Sequence, residues 1–124
     1  MTKSVKTTRA RGEAMETFAC NILCQQGLTL MAKNYHTRLG EIDLIMREQT
    51  TLVFVEVRYR RNIDHGGALE SICGSKISKI TRTAHHYLQR HGLIDKVPVR
   101  FDVFAISGES ALQWNWIQSA FESN

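Results

Sequence analysis

The sequence predicts a single-domain α/β protein with a mixed central sheet flanked by helices, in the order helix, three strands, helix, two strands. Three observations predict it. The chain's 124 residues suit one domain of ordinary size. Segments of helical and of strand periodicity alternate along the chain rather than gathering into separate blocks. The run TLVFVEVRY at 51–59 is apolar almost throughout, as expected of a central strand buried on both faces.

The elements follow in order. Residues 1–9 carry Lys3, Lys6 and Arg9 without an acid and read as a mobile basic tail, leaving 10–124 as the domain. From 12 to 26, Met15, Phe18, Ala19, Ile22 and Leu23 recur at i, i+3, i+4, i+7 and i+8. That is an amphipathic helix, and Gly27 closes it. A strand is expected over 28–35. Over 40–47, Ile42, Leu44 and Met46 should share one face, with Glu41, Asp43 and Ile45 on the other. Gly66 and Gly67 mark a loop after the 51–59 strand. A second helix over 75–90 buries Ile77, Ile80, Ala84, Tyr87 and Leu88 and turns Lys76, Lys79, Arg82 and Arg90 outward; Gly92 ends it. Strands over 97–106 and 112–117 complete the sheet, the last carrying Trp114 and Trp116.

Composition narrows the class. Hydrophobic residues at 43% and charged ones at 23% exclude a disordered or fibrous chain. No apolar run approaches the ~20 residues of a membrane span. The basic N-terminus MTKSVKTTRARG lacks the apolar core of a secretory signal, so a cytoplasmic protein with no membrane partner is expected. Cys20 and Cys24 fall on the first helix as small buried thiols, and the adjacent His85 and His86 point to different helix faces, so no zinc site follows. Charge is uneven: residues 58–100 hold nine Lys and Arg against three acids, whereas 13–57 hold six acids against three bases. An acidic segment between basic ones suits a protein that binds a polyanion and also holds a cation.

Glu56 requires an explanation, because it stands inside VFVEV and a buried carboxylate is costly unless paired or bound to metal. If the strands at 40–47 and 52–59 form an antiparallel hairpin in which 47 faces 52, Asp43 falls opposite Glu56 and Glu41 opposite Arg58. All four then share a face. Two facing carboxylates persist when one is protonated or a cation lies between them. A divalent cation such as Mg²⁺ is the economical answer. Glu41 would pair with Arg58, or Arg58 would point at the substrate. Glu16 sits on the border of the first helix's buried stripe, from which it reaches a cleft over the sheet or stays as an exposed flank residue. Asp102 is expected to partner Arg100.

GEIDLI at 40–45, VFVEVRYR at 53–60, RFDV at 100–103 and WNWIQSAF at 114–121 together resemble the YraN family of bacterial proteins. That family looks like the restriction-endonuclease-like fold and is similar to archaeal Holliday-junction resolvases. The resemblance implies a metal site, with Glu16, Asp43 and Glu56 as its carboxylates and the Val57 backbone carbonyl as a further ligand to Mg²⁺ or Mn²⁺. Arg58 stands where those enzymes carry a lysine. Arginine stays protonated and cannot act as a general base, but it can stabilise charge on a phosphate. Lys76 matches a lysine that the family also carries at the start of the second helix.

The expected function is phosphodiester hydrolysis in DNA, branched or structured DNA included, by a metal-activated water. Glu16, Asp43, Glu56 and Arg58 would be catalytic, and Arg60, Arg61, Lys76, Lys79 and Arg82 would grip the backbone. The alternative is a nucleic-acid-binding protein of the same fold without the chemistry. A third reading makes Trp114, Trp116 and Phe121 a contact surface, as in a homodimer.

Overall fold

The computed structural model describes residues 8–61 and 72–123. Helix α1 (Thr8–Gln25) is followed by strands β1 (Thr29–Thr37), β2 (Gly40–Glu48) and β3 (Thr51–Arg60). Helix α2 (Gly74–Arg90), β4 (Val99–Ser107) and β5 (Gln113–Phe121) complete the order. The strands stand side by side in sequence order. Only β3 and β4 are parallel; a parallel pair needs a long crossover, and the stretch containing α2 supplies it. The α/β class and the mixed sheet are those expected from the sequence.

The two helices among the described residues cover opposite faces of the sheet. On one, Ala19 and Leu23 of α1 pack on Leu44, Met46, Val53, Val55 and Phe104. On the other, Ile80, Ala84 and Tyr87 of α2 pack on Ile42, Ile45, Leu52, Phe54 and Phe101. Strand β3 serves both layers, which is why its sequence is apolar without alternation. Both helices end as their glycines predict. Gly27 (φ 103°) and Gly92 (φ 68°) take left-handed backbone. Leu28 N–H reaches Leu23 O at 3.1 Å and Leu93 N–H reaches Leu88 O at 2.8 Å, the bond of a Schellman motif with an apolar residue at each end.

Some boundaries move. Helix α1 takes in Thr8 and Arg9, which the sequence reading assigns to the basic tail; residues 1–7 lie outside the described residues, as does the loop at Gly66 and Gly67. Strand β5 extends to Phe121. Cys20 is buried as expected, but Cys24 is exposed. Among the described residues no helix is long and apolar enough to cross a membrane.

Asp102 is fully buried and partners Arg100, whose Nε lies 3.1 Å from Oδ1. It also accepts Trp116 Nε1–H at 2.9 Å and Ser119 N–H at 2.9 Å. Arg100 Nη1 continues to Glu48 Oε1 at 2.6 Å. One carboxylate thus ties β4 to β5, and its arginine reaches the end of β2. The C-terminal aromatics mostly serve the core: Phe121 stacks on Phe101 and Trp114 on Phe104, though Trp114 remains 44% exposed.

One irregularity in the sheet prepares the site. Ile42 packs in the same cluster as Ile45, under α2, while Leu44 and Met46 pack under α1. The expectation that Ile42, Leu44 and Met46 share a face is therefore corrected. The facing strand does the same, with Ala32 and Tyr35 both on the α2 side. Between them Asn34 adopts φ 54°, a left-handed conformation that asparagine tolerates better than most residues. The change of side-chain phase in both strands falls at Asn34 and the facing Asp43, where the pairing itself runs on unbroken from Lys33–Leu44 to Tyr35–Ile42. The register of the pair shifts further along, between Leu30 and Ala32.

Candidate metal centre

The β2–β3 register is the expected one, with Arg47 opposite Leu52. The ladder stops at Leu44–Val55, one step before Asp43 and Glu56. There Asp43 Oδ2 accepts the Val57 N–H at 2.8 Å, so a side chain replaces a ladder bond where the strands part. A cleft of about 360 Å³ opens beside them, lined by Glu16, Asp43, Glu56, Val57 and Tyr59 among others. A second, of about 510 Å³, lies on the other side of Glu16 and reaches Asn34, His36 and Glu41.

The phase shift decides which carboxylates meet. Carboxylate oxygens of Glu16, Glu41 and Asp43 lie within 4.8 Å of one another. Glu56 lines the same cleft as Glu16 and Asp43, but its Oε2 is engaged by cations, lying 3.3 Å from Arg58 Nη2 and 3.5 Å from Lys76 Nζ, which arrives from the first turn of α2. Of the residues expected to share a face, Asp43 and Glu56 line one cleft, whereas Glu41 lines its neighbour. Arg58 pairs with Glu56 on its own strand, and Glu41 stands with Glu16 and Asp43 instead of opposite Arg58. Glu16 is half-buried rather than an exposed flank residue. The Val57 residue does line the cleft, with its amide held by Asp43.

Sequence reasoning missed Glu41 as a member of the acidic group and Lys76 as the second cation on Glu56. Asn34 was the available signal for the first, since an asparagine within a strand is where a chain can shift phase. Of the expected backbone-gripping residues, Lys79 and Arg82 are exposed on α2, and Arg60 ends β3. Arg61 is instead engaged by Glu109.

The electrostatics match the crowding. The Glu16 pKa is raised to about 7, first by burial and then by the Asp43 carboxylate beside it. The Glu56 pKa is also raised to about 7, by burial and then by Asp43, against the pull of Lys76 and Arg58. Glu16 Oε1 is buried with no hydrogen-bond partner. An orphaned carboxylate oxygen among hard oxygen donors is what a divalent cation would satisfy.

A pH dependence follows. An acid whose folded pKa lies above its unfolded value stays protonated in the fold while the unfolded chain ionises. Its contribution to stability is therefore present below about pH 4.5 and lost as pH rises towards about 7. Glu16→Gln cannot ionise, so its melting temperature relative to wild type should climb between pH 5 and 7 in chelator. Thermal unfolding across that range checks it; a constant offset would mean that Glu16 ionises normally.

These features define an α/β protein whose first helix and second strand gather an acidic cluster beside a glutamate held by two cations. The chain belongs to the UPF0102 family: the family model described as "Uncharacterised protein family UPF0102" matches residues 15–106, and this is the YraN family that the motifs resemble. The chain is 47% identical over 116 residues to a UPF0102 protein of Legionella pneumophila (strain Philadelphia 1), covering 94% of this chain and 98% of that one. It is 47% identical over 116 residues to one from Nitrosococcus oceani, covering 93% and 94%, and 48% identical over 114 residues to one from Nitrosomonas europaea, covering 92% and 95%. The matched region contains Glu16, Glu41, Asp43, Glu56, Arg58 and Lys76.

Proposed function

We propose that this protein is a divalent-metal-dependent endonuclease that hydrolyses phosphodiester bonds in DNA, with Mg²⁺ or Mn²⁺ as its cation. The observation that carries the reading is the meeting of Glu16, Glu41 and Asp43 next to a buried Glu56 clasped by Arg58 and Lys76. Glu16, Glu41 and Asp43 would hold the cation. When bound, it would neutralise phosphate charge and make water a better nucleophile.

The chain's own groups divide the remaining work. Glu56, with a pKa near neutrality, is matched to accept a proton from the attacking water. Arg58 stays charged, and its side chain, 27% exposed, would lend positive charge to a phosphate oxygen at the cleft. Lys76 adds a second cation at the start of α2, whose first turn carries no acid, so the helix dipole reinforces an anion site there. Lys79 and Arg82 along α2, with Arg60, would follow the backbone away from the cut. The likeness to resolvases of the restriction-endonuclease-like fold supports the same reading.

The test is cleavage of four-way, flapped, single-stranded and linear DNA in Mg²⁺ or Mn²⁺, by wild type and Glu56→Gln. The expected result is metal-dependent cleavage that falls at least about a hundredfold in the variant. Unchanged cleavage by Glu56→Gln would remove Glu56 from the chemistry. A second reading, a DNA-binding protein without turnover, is favoured by one observation: Arg58 stands where the lysine of similar enzymes would be. It expects salt-sensitive binding indifferent to chelator and no cleavage on any substrate.

A further inference from the structure

The two clefts that flank Glu16 share a second residue of α1, Gly12, one turn earlier on the helix. The smaller cleft runs past Asp43 and Glu56 and holds Arg11; the larger runs past Glu41 and holds Arg9. We propose that they form one channel for a single nucleic-acid strand, which crosses α1 at Gly12 and sets a phosphate on Arg11 beside the one to be cut. This rests on the nuclease reading and adds the path of the strand through the same site.

Gly12 is a residue that the fold itself does not explain. Glycine inside a helix is destabilising relative to alanine, because it loses more backbone freedom on folding. Such a glycine is retained when a neighbour presses on it or the backbone turns left-handed. Gly40 is of the first kind, since a Cβ there would lie 3.1 Å from Thr83 Oγ1. Gly12 is of neither kind: it lies within α1 without a positive φ, and a Cβ built on it meets nothing within 4 Å. What the missing side chain leaves is open space where the two clefts meet. Any larger residue would enter the room a passing strand needs.

Arg11 supplies an independent observation. It shares its cleft with the carboxylates of Glu16, Asp43 and Glu56. Among the described residues it nonetheless enters no ion pair, whereas Glu56 draws in both Arg58 and Lys76. An exposed guanidinium at an acidic cleft that neutralises none of its carboxylates is free for an anion from solution. Its planar fork of donors fits a phosphate, and it stays charged. Arg9, in the other cleft, is 90% exposed and lies 3.8 Å from Glu13, a surface pair that contributes little.

The sequence of charges selects the occupant. With a divalent cation on Glu16, Glu41 and Asp43, positive charge stands at Arg9, at the cation and at Arg11, on both sides of the bare helix turn. A lone anion would use one of these points. A strand, with a phosphate at every nucleotide, uses all three. Without the cation the carboxylates repel the strand, so binding along this path requires it.

The experiment reads binding of end-labelled single-stranded and four-way DNA in Ca²⁺, a hard cation that takes oxygen ligands, over a range of salt, together with thermal unfolding. Wild type should bind more tightly in Ca²⁺ than in chelator. Gly12→Leu introduces a better helix former and should melt no lower than wild type, yet bind at least about tenfold more weakly. Arg11→Gln should flatten the fall of log affinity with log salt by about 0.7 to 0.9, one phosphate contact. Lys96→Gln, which removes an equal charge from the exposed α2–β4 connection, should leave that slope alone. Gly12→Leu binding as tightly as wild type, or equal changes of slope in Arg11→Gln and Lys96→Gln, would overturn the channel. Metal-dependent cleavage of either DNA by wild type would then leave the nuclease reading standing. Binding of neither DNA, with no cleavage, would overturn the channel and the nuclease reading together.

Discussion

Replacing Asp43 by asparagine should abolish metal-dependent cleavage while making the metal-free protein more stable. The two effects have one cause. Asp43 belongs to the acidic group with Glu16 and Glu41, and its charge raises the pKa of both Glu16 and Glu56. Without a cation that repulsion opposes folding; with one it becomes the binding energy. Asparagine keeps an oxygen acceptor for the Val57 N–H that Asp43 now holds at 2.8 Å, so the strand junction survives. Activity should fall by more than about a hundredfold, since even groups one step removed from a metal typically cost about 10–100-fold. Stability in chelator at pH 8 should rise by about 1 kcal/mol, within the range of other gains made by relieving functional strain. Cleavage assays and denaturant titrations of the same preparation check both signs. A variant that lost stability along with activity would give Asp43 a structural role.

The largest effect on folding is expected at Asp102. Its carboxylate is wholly buried and holds Arg100, Trp116 and Ser119 together. Asp102→Ala would strip three hydrogen-bonding groups of their acceptor and leave Arg100, whose Nη2 is already buried without a partner, with Glu48 alone. Removing one member of a buried ion pair typically costs ~3–5 kcal/mol. Against a usual total of ~5–15 kcal/mol, that puts the variant near the edge of folding, with β5 the strand released first. Urea unfolding of the variant reads the loss directly. A cost below about 1 kcal/mol would mean that the cluster contributes no more than a surface pair.

Much of this architecture was legible in the chain itself. Uninterrupted apolar character over 51–59 identified the central strand because both of its faces are covered. Gly27 and Gly92 marked helix ends because the left-handed backbone at those ends is cheap for glycine. A hairpin closed tightly across 48–51 gives the β2–β3 register, with Arg47 opposite Leu52. What escaped was the geometry beyond the last ladder pair. Period-two reasoning continues a strand's faces indefinitely, whereas the faces here change phase at Asn34 and Asp43, and Glu41 stands with Glu16 rather than with Arg58. The contact between Lys76 and Glu56 was equally hidden, because it joins residues twenty positions apart through a helix whose placement depends on the whole sheet. Arg61 looked like a free cation because Glu109 comes near it only when β4 and its following turn fold back alongside β3.

Glu16, Glu41 and Asp43 are expected to hold one divalent cation together. Calorimetric titration of Mn²⁺ into wild type and Glu41→Gln at pH 8 tests it most directly, because Glu41 is the member of the group that its geometry alone assigns. The expected result is one saturable Mn²⁺ site per chain, weakened at least about tenfold by Glu41→Gln. A wild-type protein that takes up no Mn²⁺, or a Glu41→Gln variant that binds it unchanged, would contradict it.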